Sequence, residues 1–396
     1  MINIANPKKA NDSKQAMAFL EFAFRPLFLL ASLFSIFSLL VWNGILTGKL
    51  TLNLYGGALW WHIHEMLFGF VAAILVGFLL TAVQNWSGVR SLNGNKLLLL
   101  VALWLSARVL FLLPEMISPW LLAIVDVAFL LFSAAALAYP IIKVKLWRNL
   151  MFIPILLIMA GINALMHYSV ISQNPLLMNS ASTAMVLMVT LVMTIMGGRV
   201  FPMFTANGTK TARVNAISWL EKLAIGSTLL AVISTFNLIE LPAMLSAALF
   251  FVASAANALR AFRWKIWVTL KTPLVWSLHL SYWCIVIGLF IYALSEITVA
   301  VTHSQAIHAL TVGAMGTMIL SMISRVSLGH TGRNIVVGKV MTFAFIAIIL
   351  AFISRVFAGY WIGNYSHVIT MAVFFWTLAY SCFVVLYLPI LIKPRV

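Results

Sequence analysis

Twelve stretches of roughly 20 mostly apolar residues follow one another along the chain, and each is long enough to cross a hydrocarbon core as a helix. They lie near 27–47, 59–84, 96–113, 119–140, 149–170, 181–204, 216–236, 242–262, 274–297, 304–325, 336–357 and 366–391, with Gly, Pro, Asn and charge marking the joints. The expected architecture is all-α: a polytopic membrane protein with a tail over 1–24 and a single twelve-helix domain over 25–396. With 63% hydrophobic and 8% charged residues, the chain is no soluble globule, in which about a quarter of residues carry charge.

The net charge of +17 would suggest nucleic acid if it were concentrated, but the basic residues sit in small groups between apolar runs. No basic helix with interleaved aromatics stands out, so nucleic acid is not an expected partner. With twelve spans and the N-terminus inside, only Lys49, Arg108 and Arg355 of the 25 basic residues fall on the outer side. Loop asymmetry this regular predicts that both termini are cytoplasmic. The opening residues are too polar for a signal peptide and read as a tail. Cys284 and Cys382 both fall within apolar runs without a Cys-x-x-Cys partner, which supports neither a disulfide framework nor a thiolate zinc site.

The second stretch, WWHIHEMLFGFVAAILVGFLLTAVQNWSGVR over 60–90, opens with His62, His64 and Glu65. Imidazole and carboxylate near hydrocarbon need a partner, a watery cavity or a metal. The alternative seats them at the headgroup level, solvated, with Trp60 and Trp61 as interfacial anchors. On the twelve-span topology six of the eight histidines (His62, His64, His167, His303, His308 and His367) crowd the outer leaflet, leaving His279 and His330 on the inner side.

Neutral imidazole is the commonest metal ligand and the usual axial ligand of haem iron. Two helices presenting histidines at similar depth suit a haem between them. His62 and His64 differ by about 200° of azimuth on a helix, so one would ligate while the other faces elsewhere. Haem propionates need cations, and the outer half offers Arg108 and Arg355. Asp126 is a plausible partner for Arg108, in which case that pair serves packing alone. Arg355 has no evident carboxylate and reads as an anion clamp.

On the inner side, GGRVFPMFTANG ends the sixth stretch and SRVSLGHTGRN follows the tenth. The glycines and amides there suit either an anion or a hydrogen-bonded turn, and the turn is preferred. Methionines such as Met185, Met188, Met193 and Met196 read as core filler rather than copper ligands. A faint echo links the second and tenth stretches: His64-x4-Gly69 and Gly88 recur, at one offset, as His308-x4-Gly313 and Gly332.

WHIHEMLFGF, GGRVFPMFT, HLSYW, IHALTVGAMGTM and SRVSLGHTGR, in this order, resemble the NnrS family of bacterial inner-membrane proteins, over about residues 24–394. The resemblance implies a haem- and copper-containing, multi-pass protein linked to nitric oxide, nitrosative stress and denitrification. Its second and tenth helices also resemble those of haem–copper oxygen and nitric oxide reductase catalytic subunits. That pattern implies a haem b held by His62, with Met66, Phe68, Gly77, Gly88 and Arg90 matching, and by His308, followed by Gly313. It sets Arg355 on the propionates, with Arg108 a second candidate. The internal echo favours His64 in place of His62, and both stay open. The sixth and seventh stretches lack the histidines of a reductase binuclear centre, so catalysis of nitric oxide turnover is left open. His303 and His167 then become candidates for a second metal, with His64 and His367 behind them. The rival classes are a proton-coupled secondary transporter and a haemless membrane subunit of a larger complex. Nothing in the sequence sets an oligomeric state.

Overall fold

The computed structural model describes residues 18–236 and 240–396, which form helices and connecting turns with no strand. Most of the expected tail over 1–24 lies outside the described residues. Ten helices are long and apolar enough to cross a membrane. Two more, Gly94–Leu110 and Ser218–Ser234, have 17 residues each and occupy the third and seventh expected stretches. In chain order the helices are α1 (Phe24–Leu46), α2 (Gly57–Ser87), α3 (Gly94–Leu110), α4 (Pro119–Lys143), α5 (Phe152–Ile171), α6 (Pro175–Thr209), α7 (Ser218–Ser234), α8 (Ala243–Arg263), α9 (Pro273–Ser295), α10 (His303–His330), α11 (Lys339–Phe357) and α12 (Tyr365–Ile392).

Local signals set the helix ends. Asn174 accepts hydrogen bonds from the Leu176 and Leu177 amides and Pro175 fills the first turn, so α6 begins six residues before the expected apolar run. At 35 residues it is about 52 Å long, longer than a bilayer core is thick. Thr302 and Gln305 form a reciprocal capping box at the start of α10, which satisfies amides that would otherwise be orphaned.

Burial separates a central group from a periphery. In their most apolar windows α2, α6, α9 and α10 are 83%, 78%, 72% and 67% buried, against 39% for α1 and α4. The two helices that open with histidines therefore belong to the core of the bundle. Met185 and Met188 are buried there, while Met193 and Met196 of α6 face Met318 and Met322 of α10 across an apolar groove.

Helices α2 and α10 share a further feature. Each switches to π-helical hydrogen bonding immediately after its histidine, over Glu65–Val71 and Ala309–Gly316. Single π turns of this kind often mark functional positions. Gly88, with φ of 68°, caps α2, and Gly332, with φ of 82°, follows two residues after α10 ends. The sequence echo thus reappears in the backbone.

The two ends of the described chain are tied together. Buried Arg25 of α1 donates to the Leu391 carbonyl at 3.0 Å and the Lys393 carbonyl at 2.5 Å. The turn after α10 closes on itself, Thr331 Oγ1 donating to the Ser327 carbonyl at 2.7 Å and the Arg333 amide to the Leu328 carbonyl at 3.0 Å. It also accepts the Val396 amide on the Thr331 carbonyl at 3.1 Å. The GGR motif serves a second buried lock. Arg260 of α8 donates through Nε and Nη2 to Glu221 at 3.0 and 2.7 Å, and through Nη1 to the Tyr282 hydroxyl at 2.6 Å. Gly198 lies under that pair, and any side chain there would strike the Arg260 guanidinium.

Candidate functional site

Two groups of side chains occupy the histidine-bearing end of the bundle, and α2 feeds both. In the first, His64 and Glu65 of α2, Arg108 of α3, Asp126 of α4, and Asn163 and His167 of α5 meet in the protein interior. His64 and Glu65 are completely buried, and Arg108, Asp126, Asn163 and His167 are at most 4% exposed. The headgroup alternative therefore fails for His64 and Glu65. It fails for the two tryptophans as well. Trp60 and Trp61 are buried, and Trp60 donates Nε1–H to the Met166 carbonyl at 3.0 Å while stacking on His64 at 4.4 Å.

The contacts in this group form a closed set. His64 Nδ1 lies 3.0 Å from Glu65 Oε1. His64 Nε2 lies 2.8 Å from Asn163 Oδ1 and 3.2 Å from Asp126 Oδ2. Asn163 donates Nδ2–H to Asp126 Oδ2 at 2.6 Å, and His167 Nε2 is 3.3 Å from the same oxygen. Arg108 spans the two carboxylates, Nη1 on Glu65 Oε1 at 2.5 Å and Nη2 on Asp126 Oδ1. The Tyr55 hydroxyl, in the loop before α2, is 3.3 Å from His167 Nδ1. Burial, reinforced by the Asp126 charge, pushes that phenol up to about 12, so it remains a neutral hydroxyl. Between ligand atoms of His64, Asp126 and His167 no separation exceeds 4.8 Å.

Arg108 is thus bound to the carboxylate the sequence suggested. Both of its terminal nitrogens are engaged by acids in this arrangement.

The second group lies on the other side of the same turn. His62 is half-buried and stacks on Trp42 of α1, ring centroids 4.5 Å apart and nearly parallel. Its Nδ1 is buried with no hydrogen-bond partner among the described residues. His308 of α10, also half-buried, has Nδ1 bonded to the Ser304 carbonyl at 2.7 Å. Arg355 of α11 donates to Ser304 Oγ at 3.1 Å and the Tyr365 hydroxyl at 3.0 Å, and has no ion pair with an acid among the described residues. Its charge bears on both His62 and His308, and those two imidazoles are within Coulombic reach of each other.

The other expected positions lie apart. His303, an expected second-metal residue, is exposed and packs edge-on against Tyr292 at 4.4 Å, away from the His64–Asp126–His167 grouping. His367 is exposed in the first turn of α12. His279 bonds Thr205 Oγ1 at 2.8 Å, and His330 packs against Phe22 and Phe24.

The sequence profile of the NnrS family, described as NnrS protein, matches residues 18–395. The chain belongs to the NnrS family. That membership supports a membrane protein of the nitric-oxide response, and both histidine groups lie inside the matched region. No curated protein matches the chain.

Sequence reasoning missed three members of the first group. Glu65 was noticed beside His64 but not as the partner of Arg108. Asn163 stands four residues before His167, one helical turn away on the same face, and that spacing was the signal available. Tyr55 comes from a loop, where no periodicity points to a site.

Proposed function

We propose that this NnrS family member is a bacterial inner-membrane haem protein acting in the response to nitric oxide, its haem b held by His62 and His308 with Arg355 at the propionates. What carries the reading is the juxtaposition of these three residues from α2, α10 and α11. The donor chemistry fits the group. His308 Nδ1 is tied to a carbonyl, which fixes the tautomer and leaves Nε2 to ligate. His62 retains a buried nitrogen without a partner, and Arg355 is a cation without a carboxylate. A haem held there would supply a redox-active iron, and nitric oxide would reach it only if one of the two imidazoles gave way. Stacking on Trp42 orients His62, the Ser304 carbonyl orients His308, and the Tyr365 and Ser304 hydroxyls hold Arg355 beside them.

The same reading takes all twelve helices as spans with both termini cytoplasmic. At 17 residues α3 and α7 reach the short end of the range that crosses a bilayer, and the distribution of Lys and Arg agrees. The deciding measurement is the absorption spectrum of pure protein expressed with ample haem. A Soret band is expected, and His308→Ala should abolish or shift it. A colourless wild type, or a His308→Ala spectrum identical to wild type, refutes the assignment. Proton-coupled solute uptake by haem-free proteoliposomes would support the transporter class instead.

A further inference from the structure

The geometry points to a metal site distinct from the haem position: His64, Asp126 and His167 form a three-ligand seat for a divalent first-row transition-metal ion. It uses neither His62 nor His308, so it stands whether or not haem binds between them.

Three observations converge on it. The first is the ligand set. His64 Nε2 and His167 Nε2 stand 3.2 and 3.3 Å from one oxygen of Asp126, so three donors from three helices face a common point. Two imidazoles and a carboxylate suit iron, cobalt, zinc or cupric ions better than magnesium or calcium, which prefer all-oxygen cages, or cuprous ion, which prefers sulfur.

The second is what stands behind the ligands. Metal-bound histidines almost always anchor their other ring nitrogen, and ligating carboxylates are hydrogen-bonded in turn. Here each ligand has such a support: Glu65 on His64 Nδ1, the Tyr55 hydroxyl on His167 Nδ1, and Arg108 on the far oxygen of Asp126. A packing cluster has no need to leave all three inward atoms on one side and all three anchors on the other.

The third is charge. Glu65 and Asp126 bring two negative charges and Arg108 one positive; in the metal-free cluster both ring nitrogens of His64 face oxygens, so a second proton on that imidazole meets the remaining charge, and that proton leaves when His64 becomes a ligand. Glu65 Oε2 is buried without a partner among the described residues, and such an oxygen is costly in a low-dielectric interior. A divalent ion more than replaces that proton's charge, and three protein ligands leave a fourth position where a hydroxide or other small anion brings the group to neutrality. Asn163, which bridges His64 Nε2 and Asp126 in the metal-free cluster, gives up its bond to His64 when the ion enters.

The test is cobalt binding to the purified, chelator-treated full-length protein, since Co2+ shows visible ligand-field bands when held by imidazole and carboxylate. The expected result is one Co2+ per chain by metal analysis, displaced by Zn2+. Asp126→Asn and His167→Ala should each abolish the bands, and Tyr55→Phe, which removes only a support, should weaken binding about 10–100-fold. His330→Ala, at the opposite end of the bundle, should bind as wild type. Wild type that takes up no stoichiometric Co2+, or Asp126→Asn and His167→Ala proteins with unaltered bands, overturns the proposal. Tyr55→Phe guards against misfolding as the cause, because it keeps every buried charge in place: unaltered affinity there, alongside a loss of native elution in the other two variants, also counts against the site. A Soret band that persists while cobalt binding is lost, or the reverse, separates this site from the haem assignment.

Discussion

Removing the cation from between Glu65 and Asp126 tests the buried network most directly. Arg108 is 3% exposed and its two terminal nitrogens reach separate carboxylates, so Arg108→Met leaves two acids facing each other in the interior. Breaking a buried ion pair by deleting one partner costs about 3–5 kcal/mol, chiefly because the remaining charge is stranded. Two acids are stranded here, although some of the loss is recovered if one takes up a proton. With an unfolding entropy of ~2.1 cal/mol/K per residue over a chain of 396 residues, that cost lowers Tm by about 4–6 °C. A thermal ramp with a thiol-reactive dye reads it, since Cys284 is buried and reacts only as the bundle opens. In haem-free protein Arg355→Met is the control: its partners are hydroxyls, no acid is stranded, and the shift should stay within about 1 °C, the value of a bond worth ~1 kcal/mol. Adding Glu65→Gln and Asp126→Asn to Arg108→Met should recover part of the loss, because no charge then remains to strand. Equal Tm for Arg108→Met and wild type, or equal shifts for Arg108→Met and Arg355→Met, would refute the view that the guanidinium neutralises both acids.

Two glycine substitutions probe close approaches that hold the two buried locks. A Cβ on Gly69 would come within 2.6 Å of Arg108 Nη1 and 2.7 Å of the Phe34 ring, so Gly69→Ala should cost about 1–3 kcal/mol by overpacking, measured by the same dye ramp, and should be milder than Arg108→Met. Gly198→Ala drives a methyl into the Arg260–Glu221 pair; a similar destabilisation is expected there, with cobalt binding and the Soret band unaffected because the lock shares no residue with either histidine group.

Much of the architecture was legible because the solvent is so restrictive. Apolar run length located most helices to within about three residues; α10 runs five residues past its expected end, and the early start of α6 comes from Asn174 and Pro175, which cap a helix inside a segment read as a polar joint. The Arg108–Asp126 contact was legible for a related reason, since charges this deep in apolar helices need each other. The division of labour between His62 and His64 was not. Azimuth alone says that they diverge, but which of them joins the buried Asp126–Asn163 cluster depends on how α2 packs, and its π-helical turn is a backbone event with no residue signature. Trp60 and Trp61 misled for the opposite reason: their position at the mouth of a span fits an interfacial anchor, yet Trp60 stacks on a buried imidazole and spends its N–H on the Met166 carbonyl.

The placement of His62 and His64 on one turn has a practical consequence for genetics. They are about 3 Å apart along the helix axis, and the turn is braced by Trp42 on one flank and Trp60 on the other. A substitution that twists or tilts this turn disturbs both neighbourhoods together, so a phenotype mapped to either histidine alone does not say which was lost. Changes made on the far walls, at His308 on one side or at Asp126 and His167 on the other, address one neighbourhood at a time.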